Sequence, residues 1–313
     1  MSDRHEFDEL LDLVPTLRGA RVVTELSGGL TNRNLRVDIG DRSYVARISS
    51  NESALLAIDR DNEYENSKRA ALAGIGARVV DYVAGRGILV IDFLPGRTYG
   101  PSDVGNIANY PAMAIALRTL HSGPRFVNDF NMFEIQRRYL NVVREHGFRL
   151  PDRYLDFLPQ VEAMERALAV RFEGTVPCNN DLLPGNFIDD GSKIKLIDYE
   201  YSGNNEACFE LGNIWSEASL PPENLEALVY EYYGGAHPEK LARARLLALL
   251  GKFGWMLWAS IQAGISTIDF DFWTWGMEKY ERAVVEFDGP EFAGWLEAAV
   301  RQSHLGERRV ASP

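Results

Sequence analysis

Val176-Pro-Cys-Asn-Asn-Asp-Leu-Leu-Pro-Gly-Asn-Phe-Ile188, with Lys195-Leu-Ile-Asp-Tyr-Glu-Tyr201 shortly after it, is the stretch that decides the reading of this chain. Asp181 and Asn186 stand five residues apart in a Pro-Gly loop, and Asp198 follows twelve residues later. Directly before Asp198 comes a short apolar run, Ile194, Leu196 and Ile197, with the composition and length of a buried strand. The pattern predicts a loop carrying Asp and Asn, a turn, a strand, and a third oxygen ligand at the strand's end.

Three oxygens in this order suit phosphoryl transfer. One carboxylate must orient and deprotonate an acceptor hydroxyl, and an Asn and an Asp oxygen must hold magnesium against nucleotide phosphates. Asp181 fits the first role; Asn186 and Asp198 fit the second. The spacing Asp-x-x-x-x-Asn is also that of protein kinases. An Asp and an Asn in a Pro-Gly loop are more often turn residues bonded to their own backbone. The strand and Asp198 behind them favour the site.

The totals narrow the choice. A chain of 313 residues suits two lobes, and 46% hydrophobic residues can fill large cores. A formal charge of -12 disfavours a nucleic-acid partner and is compatible with a cationic substrate. The two cysteines, Cys178 and Cys208, have no metal-site spacing and point to free thiols in a reducing, cytoplasmic setting. The acidic N-terminus lacks a signal-peptide core. Leu246 to Ile265 is the most apolar stretch, but Lys252, Gln262 and a helical pattern make it a buried helix rather than a membrane span.

Residues 3 to 14 have the pattern of a short amphipathic helix. Strands are predicted at Arg21–Leu26, Leu35–Ile39, Ser43–Ile48, Arg78–Tyr82 and Gly87–Leu94, with a helix from about Asp59 to Ala73. The turn Ser27-Gly-Gly-Leu-Thr-Asn32 could lay backbone N–H groups over phosphates, or be an ordinary hairpin turn. Pro95-Gly96 breaks the strand pattern, and a hinge is expected at Asp92 to Arg97. Helices then dominate: 107 to 121, 130 to 145 and 154 to 172, with His121 at a helix end as a cap or packing residue. Four of the six tryptophans fall between 255 and 275. Trp255, Trp258 and Gln262 share a helix face. Such a cluster suits a quaternary ammonium, which has no N–H and is held by aromatic faces; a plain aromatic core has the same spacing.

Asn180-Asp181-Leu-Leu-Pro-Gly-Asn186 with Leu196-Ile-Asp-Tyr-Glu-Tyr201 resembles the choline/ethanolamine kinase family, which shares the protein-kinase-like fold with aminoglycoside phosphotransferases. Residues 253–270, with two Trp, a Gln and an acidic-Phe pair, resemble the same family far from the first motif. The resemblance implies an α+β, two-lobe fold. Residues 1–94 would form a small five-stranded antiparallel nucleotide lobe, and residues 95–313 a larger, mainly helical catalytic and substrate lobe. It implies ATP- and Mg2+-dependent phosphorylation of choline to phosphocholine. Ethanolamine, thiamine or an aminoglycoside is the alternative acceptor, and a non-catalytic ligand-binding relative the alternative class. Neither a nucleic-acid nor a membrane partner is implied, and the oligomeric state is left open.

Residue by residue, the resemblance makes Gly28, Gly29, Thr31 and Asn32 the nucleotide loop. Arg47 replaces the usual phosphate-binding Lys, with Glu63 as its expected partner; the sequence by itself leaves Glu65 open. Phe93 lies at the adenine hinge. Trp255, Trp258, Asp269 and Trp275 would line the choline pocket, and Glu200 is expected near the metal, the loop or the substrate. Glu210-Leu-Gly-Asn213 resembles the family's Asp-Leu-Gly-Asn and should brace the catalytic loop. Asn179 stands where the family has a His that braces that loop.

Overall fold

The structure is a computed structural model; it describes residues 2–26, 29–49 and 55–301. In chain order it contains α1 (Ser2–Asp12), β1 (Val22–Leu26), β2 (Asn32–Ile39), β3 (Arg42–Ser49), α2 (Arg60–Leu72), β4 (Val79–Val83) and β5 (Ile88–Asp92). There follow β6 (Arg97–Thr98), α3 (Pro101–Val104), α4 (Tyr110–His121), α5 (Met132–His146), α6 (Leu158–Val170), β7 (Val176–Cys178), β8 (Phe187–Asp189), β9 (Ile194–Leu196) and β10 (Gly203–Asn205). The chain closes with α7 (Ala207–Glu217), α8 (Pro222–Tyr233), α9 (Pro238–Ile265), α10 (Phe272–Phe287) and α11 (Phe292–Ala299).

The first five strands form an antiparallel sheet in the order β1-β2-β3-β5-β4. Alternate residues of its inner strands face one core: Leu35 and Val37, Tyr44 and Ala46, Ile88 and Val90. That period of two is what a strand requires when one face is buried. Leu11, Val14 and Leu17 from α1 and the turn after it cover the same face. In α2, Asp59 caps the helix by accepting from the amides of Asp61 and Asn62. This fixes the first turn and turns Glu63 inward, leaving it 2% exposed.

The helical lobe is built around α9, against which α5, α7, α10 and α11 pack. Among the described residues α9 is the helix long and apolar enough to cross a bilayer, yet 94% of its apolar window is buried inside the protein. It is a core helix. Gly212 lets α7 approach it: a Cβ there would lie 2.3 Å from Ala244 O. The close crossing sets the residues of α7 beside the tryptophans of α9.

Two predicted helices are each divided. Residues 107–109 are a 3-10 turn before α4, which has Pro111 in its first turn. Residues 154–157 are likewise 3-10 before α6, which begins Leu158-Pro159. A proline lacks the N–H that a continuous helix needs and suits the first turn instead.

Candidate active site

Asp181 lies between β7 and β8 in a loop that its own side chains and α7 hold in place. Glu210 Oε1 accepts from the amides of Asn179 (2.7 Å) and Asn180 (3.3 Å), and Asn213 Oδ1 accepts from Leu182 N (2.8 Å). Asn179 binds both halves of the site: its Nδ2 donates to Ile197 O (3.0 Å) and Asp198 O (2.8 Å), while its Oδ1 accepts from Asp181 N (3.1 Å). The brace expected from Glu210 is therefore present, and Asn179 also ties the loop, by amide bonds rather than an imidazole. His121 does more than pack: its ring nitrogens contact Tyr232 Oη (2.7 Å) and Glu210 Oε2 (2.6 Å), so it fixes the bracing carboxylate.

Asn180 and Asp198 both have left-handed backbone, φ +67° and +66°. Asn and Asp adopt it more readily than other side chains, at a cost of roughly 1–3 kcal/mol that the surroundings must offset. The strain sits at the two points where the chain reverses into and out of the site.

Asp181, Asn186 and Asp198 border one cavity of about 110 Å3, as the sequence predicts. Asn186 and Asp198 also border a larger cleft of about 620 Å3 between the lobes, as do Arg47, Gly29, Asn34 and Leu183. The sizes suit a small acceptor and a nucleotide. Burial pushes the Asp181 carboxyl well above the usual aspartate range, reinforced by the negative charges of Asp198, Glu217 and Glu200.

A divalent ion fits this donor set. Asn186 Nδ2 donates to Asp181 O at 2.7 Å, which leaves its Oδ1 for the cavity. Asp198 Oδ1 is paired with Arg47 Nη1 at 2.6 Å, and the residue borders both cavities beside Asn186. Hard oxygen donors of this kind are what Mg2+ takes, usually with one or two carboxylates.

Arg47, 8% exposed, is held by three carboxylates: Asp198 (2.6 Å), Glu63 (3.2 Å) and Glu200 (3.1 Å). Burial opposes its charge, but these anions outweigh it and keep the guanidinium well above its ordinary pKa. Glu63 is the partner expected; Glu65 pairs with Lys68 on the surface.

Several expectations need correction. Glu200 borders the smaller cavity, but its carboxylate is engaged by Thr31 Oγ1 (2.7 Å), Asn32 Nδ2 (2.7 Å), Arg60 (3.1 Å) and Arg47. Burial would raise its pKa; Arg47, Arg60 and the Thr31 and Asn32 bonds prevail and lower it. It joins the lobes rather than presenting a free group to a substrate. Thr31 and Asn32, expected against the nucleotide, therefore face Glu200 and the smaller cavity. Gly29 borders both cavities, and a Cβ on it would lie 2.4 Å from Asn32 O. Gly28 lies outside the described residues. Phe93 borders the larger cleft, with its amide engaged by Ser43 O and its ring beneath Arg36.

Trp255, Trp258 and Trp275 do line the smaller cavity. Trp258 Nε1 donates to Tyr201 Oη at 2.7 Å, and the Trp258 and Trp275 ring centroids lie 5.5 Å apart. Asp269 does not join them. It is exposed in the bend after α9 ends at Ile265, where the chain runs over the surface towards α10. The carboxylate on this wall is Glu217, from the last turn of α7. The sequence reading missed Glu217 and Tyr201; for Tyr201 the signal was its place in the motif itself, three residues past Asp198.

A two-lobe fold with a loop Asp in a small cavity, and an Asn and a strand-end Asp shared between that cavity and an interlobe cleft, defines a kinase-like phosphotransferase. Known proteins agree. The family model for choline/ethanolamine kinase matches residues 23–233. Ethanolamine kinase 1 of Mus musculus is 27% identical over 296 residues, covering 81% of this chain and 80% of that protein. A choline/ethanolamine kinase family protein from Mesorhizobium loti superposes with a TM-score of 0.81 at 28% identity, covering 95% of this chain and 99% of the other. Choline kinase LicA from Streptococcus pneumoniae shares the fold, with a TM-score of 0.75 at 23% identity over 90% of this chain and 96% of its own. The chain belongs to the choline/ethanolamine kinase family, phosphotransferases that act on alcohol acceptors.

Proposed function

We propose that this chain transfers the terminal phosphoryl group of ATP to the hydroxyl of choline, giving phosphocholine and ADP. One observation carries the reading: Asp181, Asn186 and Asp198 border a cavity walled by Trp255, Trp258, Trp275 and Tyr201, and two of the three also border the interlobe cleft.

The alcohol lies with its hydroxyl at Asp181 and its cationic head among the tryptophans. Each aromatic face is worth about 0.5–2 kcal/mol to a desolvated cation. Asp181 aligns the hydroxyl oxygen with the γ-phosphorus and takes its proton as the new P–O bond forms. The bond from that phosphorus to the bridging oxygen breaks, and ADP leaves with the electron pair. A carboxylate whose pKa is raised is a stronger base for this task. Arg47, fixed by Glu63 and Glu200, offers its charge to the phosphates. Mg2+ held by Asn186 and Asp198 would neutralise phosphate charge when bound.

Ethanolamine is the second reading. The Glu217 carboxylate on the cavity wall can accept from a primary ammonium, which a quaternary one does not need. The similarity to ethanolamine kinases supports it as well.

The test is ADP release from ATP with choline, ethanolamine, thiamine and an aminoglycoside at equal concentration. The expected result is stimulation by choline first and ethanolamine second. A magnesium-dependent nucleotide thermal shift with no alcohol-stimulated ADP release would instead mark a non-catalytic binding protein.

A further inference from the structure

Lys279 on α10 and Glu217 at the end of α7 form an ion pair across 62 positions, Nζ to Oε2 2.5 Å, with side chains 4% and 5% exposed. Glu217 borders the smaller cavity and Lys279 does not. The same ammonium lies 4.2 Å from the ring centroid of Trp275, which also borders the cavity. Lys279 thus stands behind the wall and touches two of its members. Among the described residues it is the partner of Glu217. Arg282, three residues further along α10, donates to Ser216 O (3.3 Å) and Ser219 Oγ (2.6 Å), so the end of α7 is clamped on both sides of Glu217.

Building on the amino-alcohol reading above, we propose that Lys279 is a positioning residue that sets which ammonium head group the cavity accepts. It engages Glu217 Oε2, offsets the carboxylate's charge, and seats Trp275. At the tryptophan wall this leaves the substrate one Glu217 oxygen and a set of aromatic faces. A primary ammonium carries three N–H donors and suffers from the shortage of acceptors; a quaternary ammonium carries none and does not. Removing the lysine charge gives both oxygens and the full negative charge of Glu217 to the substrate, which favours the primary ammonium.

The test compares wild type, Lys279→Met and Lys279→Arg in two ways. Steady-state kinetics gives kcat and KM for choline and ethanolamine, and quenching of tryptophan fluorescence gives binding of each alcohol without turnover. Lys279→Met should shift the ethanolamine-to-choline ratio of kcat/KM about tenfold towards ethanolamine. The change should fall in KM rather than kcat and be matched in the binding constants. Lys279→Arg, which keeps the charge, should stay within about threefold of wild type. If Lys279→Met does not fold, Lys279→Gln, which removes the charge but keeps a donor for Glu217 Oε2, should give a smaller shift in the same direction. An unchanged ratio in a folded Met or Gln variant, or an Arg variant that behaves like Met, overturns the proposal. A selectivity shift in binding with no turnover by any variant would sink the kinase reading and leave this one standing; a wild type that binds neither alcohol would sink both.

Discussion

Thr31 Oγ1 donates to Glu200 Oε1 at 2.7 Å, joining the loop between the first two strands to a residue 169 positions downstream. Asn32, Arg47 and Arg60 converge on the same carboxylate. Four residues of the small lobe are therefore held by one buried anion at the edge of the smaller cavity.

Glu200→Ala should act on the nucleotide side more than on the alcohol side. It leaves Arg47 and Arg60 each short of one anion, and breaking a buried ion pair costs roughly 3–5 kcal/mol. The expected outcome is a lower Tm and a KM for ATP that rises more than the KM for choline. A selective rise in the choline KM would return Glu200 to a direct substrate role.

Asp181→Asn should lower kcat by about 10²–10⁴-fold, the usual contribution of a positioned general base. In metal-free buffer it should also raise stability at neutral pH. Folding raises the Asp181 pKa, so the folded state holds that proton more tightly than the unfolded chain. The stability this confers is complete below the ordinary aspartate value of about 3.9 and is lost as pH rises through the raised value. Wild type and variant should therefore melt alike near pH 4, with the variant more stable at pH 8. Equal Tm values at both ends would contradict the burial argument.

Asn179→Ala removes three hydrogen bonds that tie the Asp181 loop to the Asp198 turn. Leaving the Asp198 and Ile197 carbonyls without their donor should cost about 1–3 kcal/mol. It should also lower kcat, with the choline KM little changed. Asn179→His should restore part of the kcat if an imidazole can brace the same turn; full activity in the Ala variant would show that the brace is dispensable.

Trp258→Ala should raise the KM for choline more than for ethanolamine, because a quaternary head depends on aromatic faces. It opens a core cavity as well and should destabilise the fold by about 3–5 kcal/mol. Trp258→Phe keeps a face but loses the Nε1 donor to Tyr201, and should restore most of the selectivity. Equal rises for both alcohols would mean that Trp258 only packs.

The sequence announces what is local. Asp181, Asn186 and Asp198 stand close together on a loop-strand unit, and alternation at Leu35, Val37, Tyr44 and Ala46 marks strands without any tertiary knowledge. Resemblance rather than spacing singled out Glu63, and its burial beneath the Asp59 cap explains why it, and not Glu65, reaches Arg47. What could not be read was long-range. Glu217 shares no motif with its partner Lys279, and only the Gly212 crossing of α7 over α9 brings it to the tryptophan wall. Asp269 failed for the converse reason: its place in a family-like string says nothing of where a bend turns the side chain.

Phosphorus NMR of ATP, Mg2+ and choline mixed with wild type or Asp181→Asn follows the transferred group itself. Wild type should show a growing phosphomonoester resonance matched by ADP, and the folded Asp181→Asn variant almost none over the same time. A folded wild type that forms no phosphomonoester from choline or ethanolamine, or an Asp181→Asn variant that forms it at the wild-type rate, would contradict the convergence of Asp181, Asn186 and Asp198 on a transferred phosphoryl group.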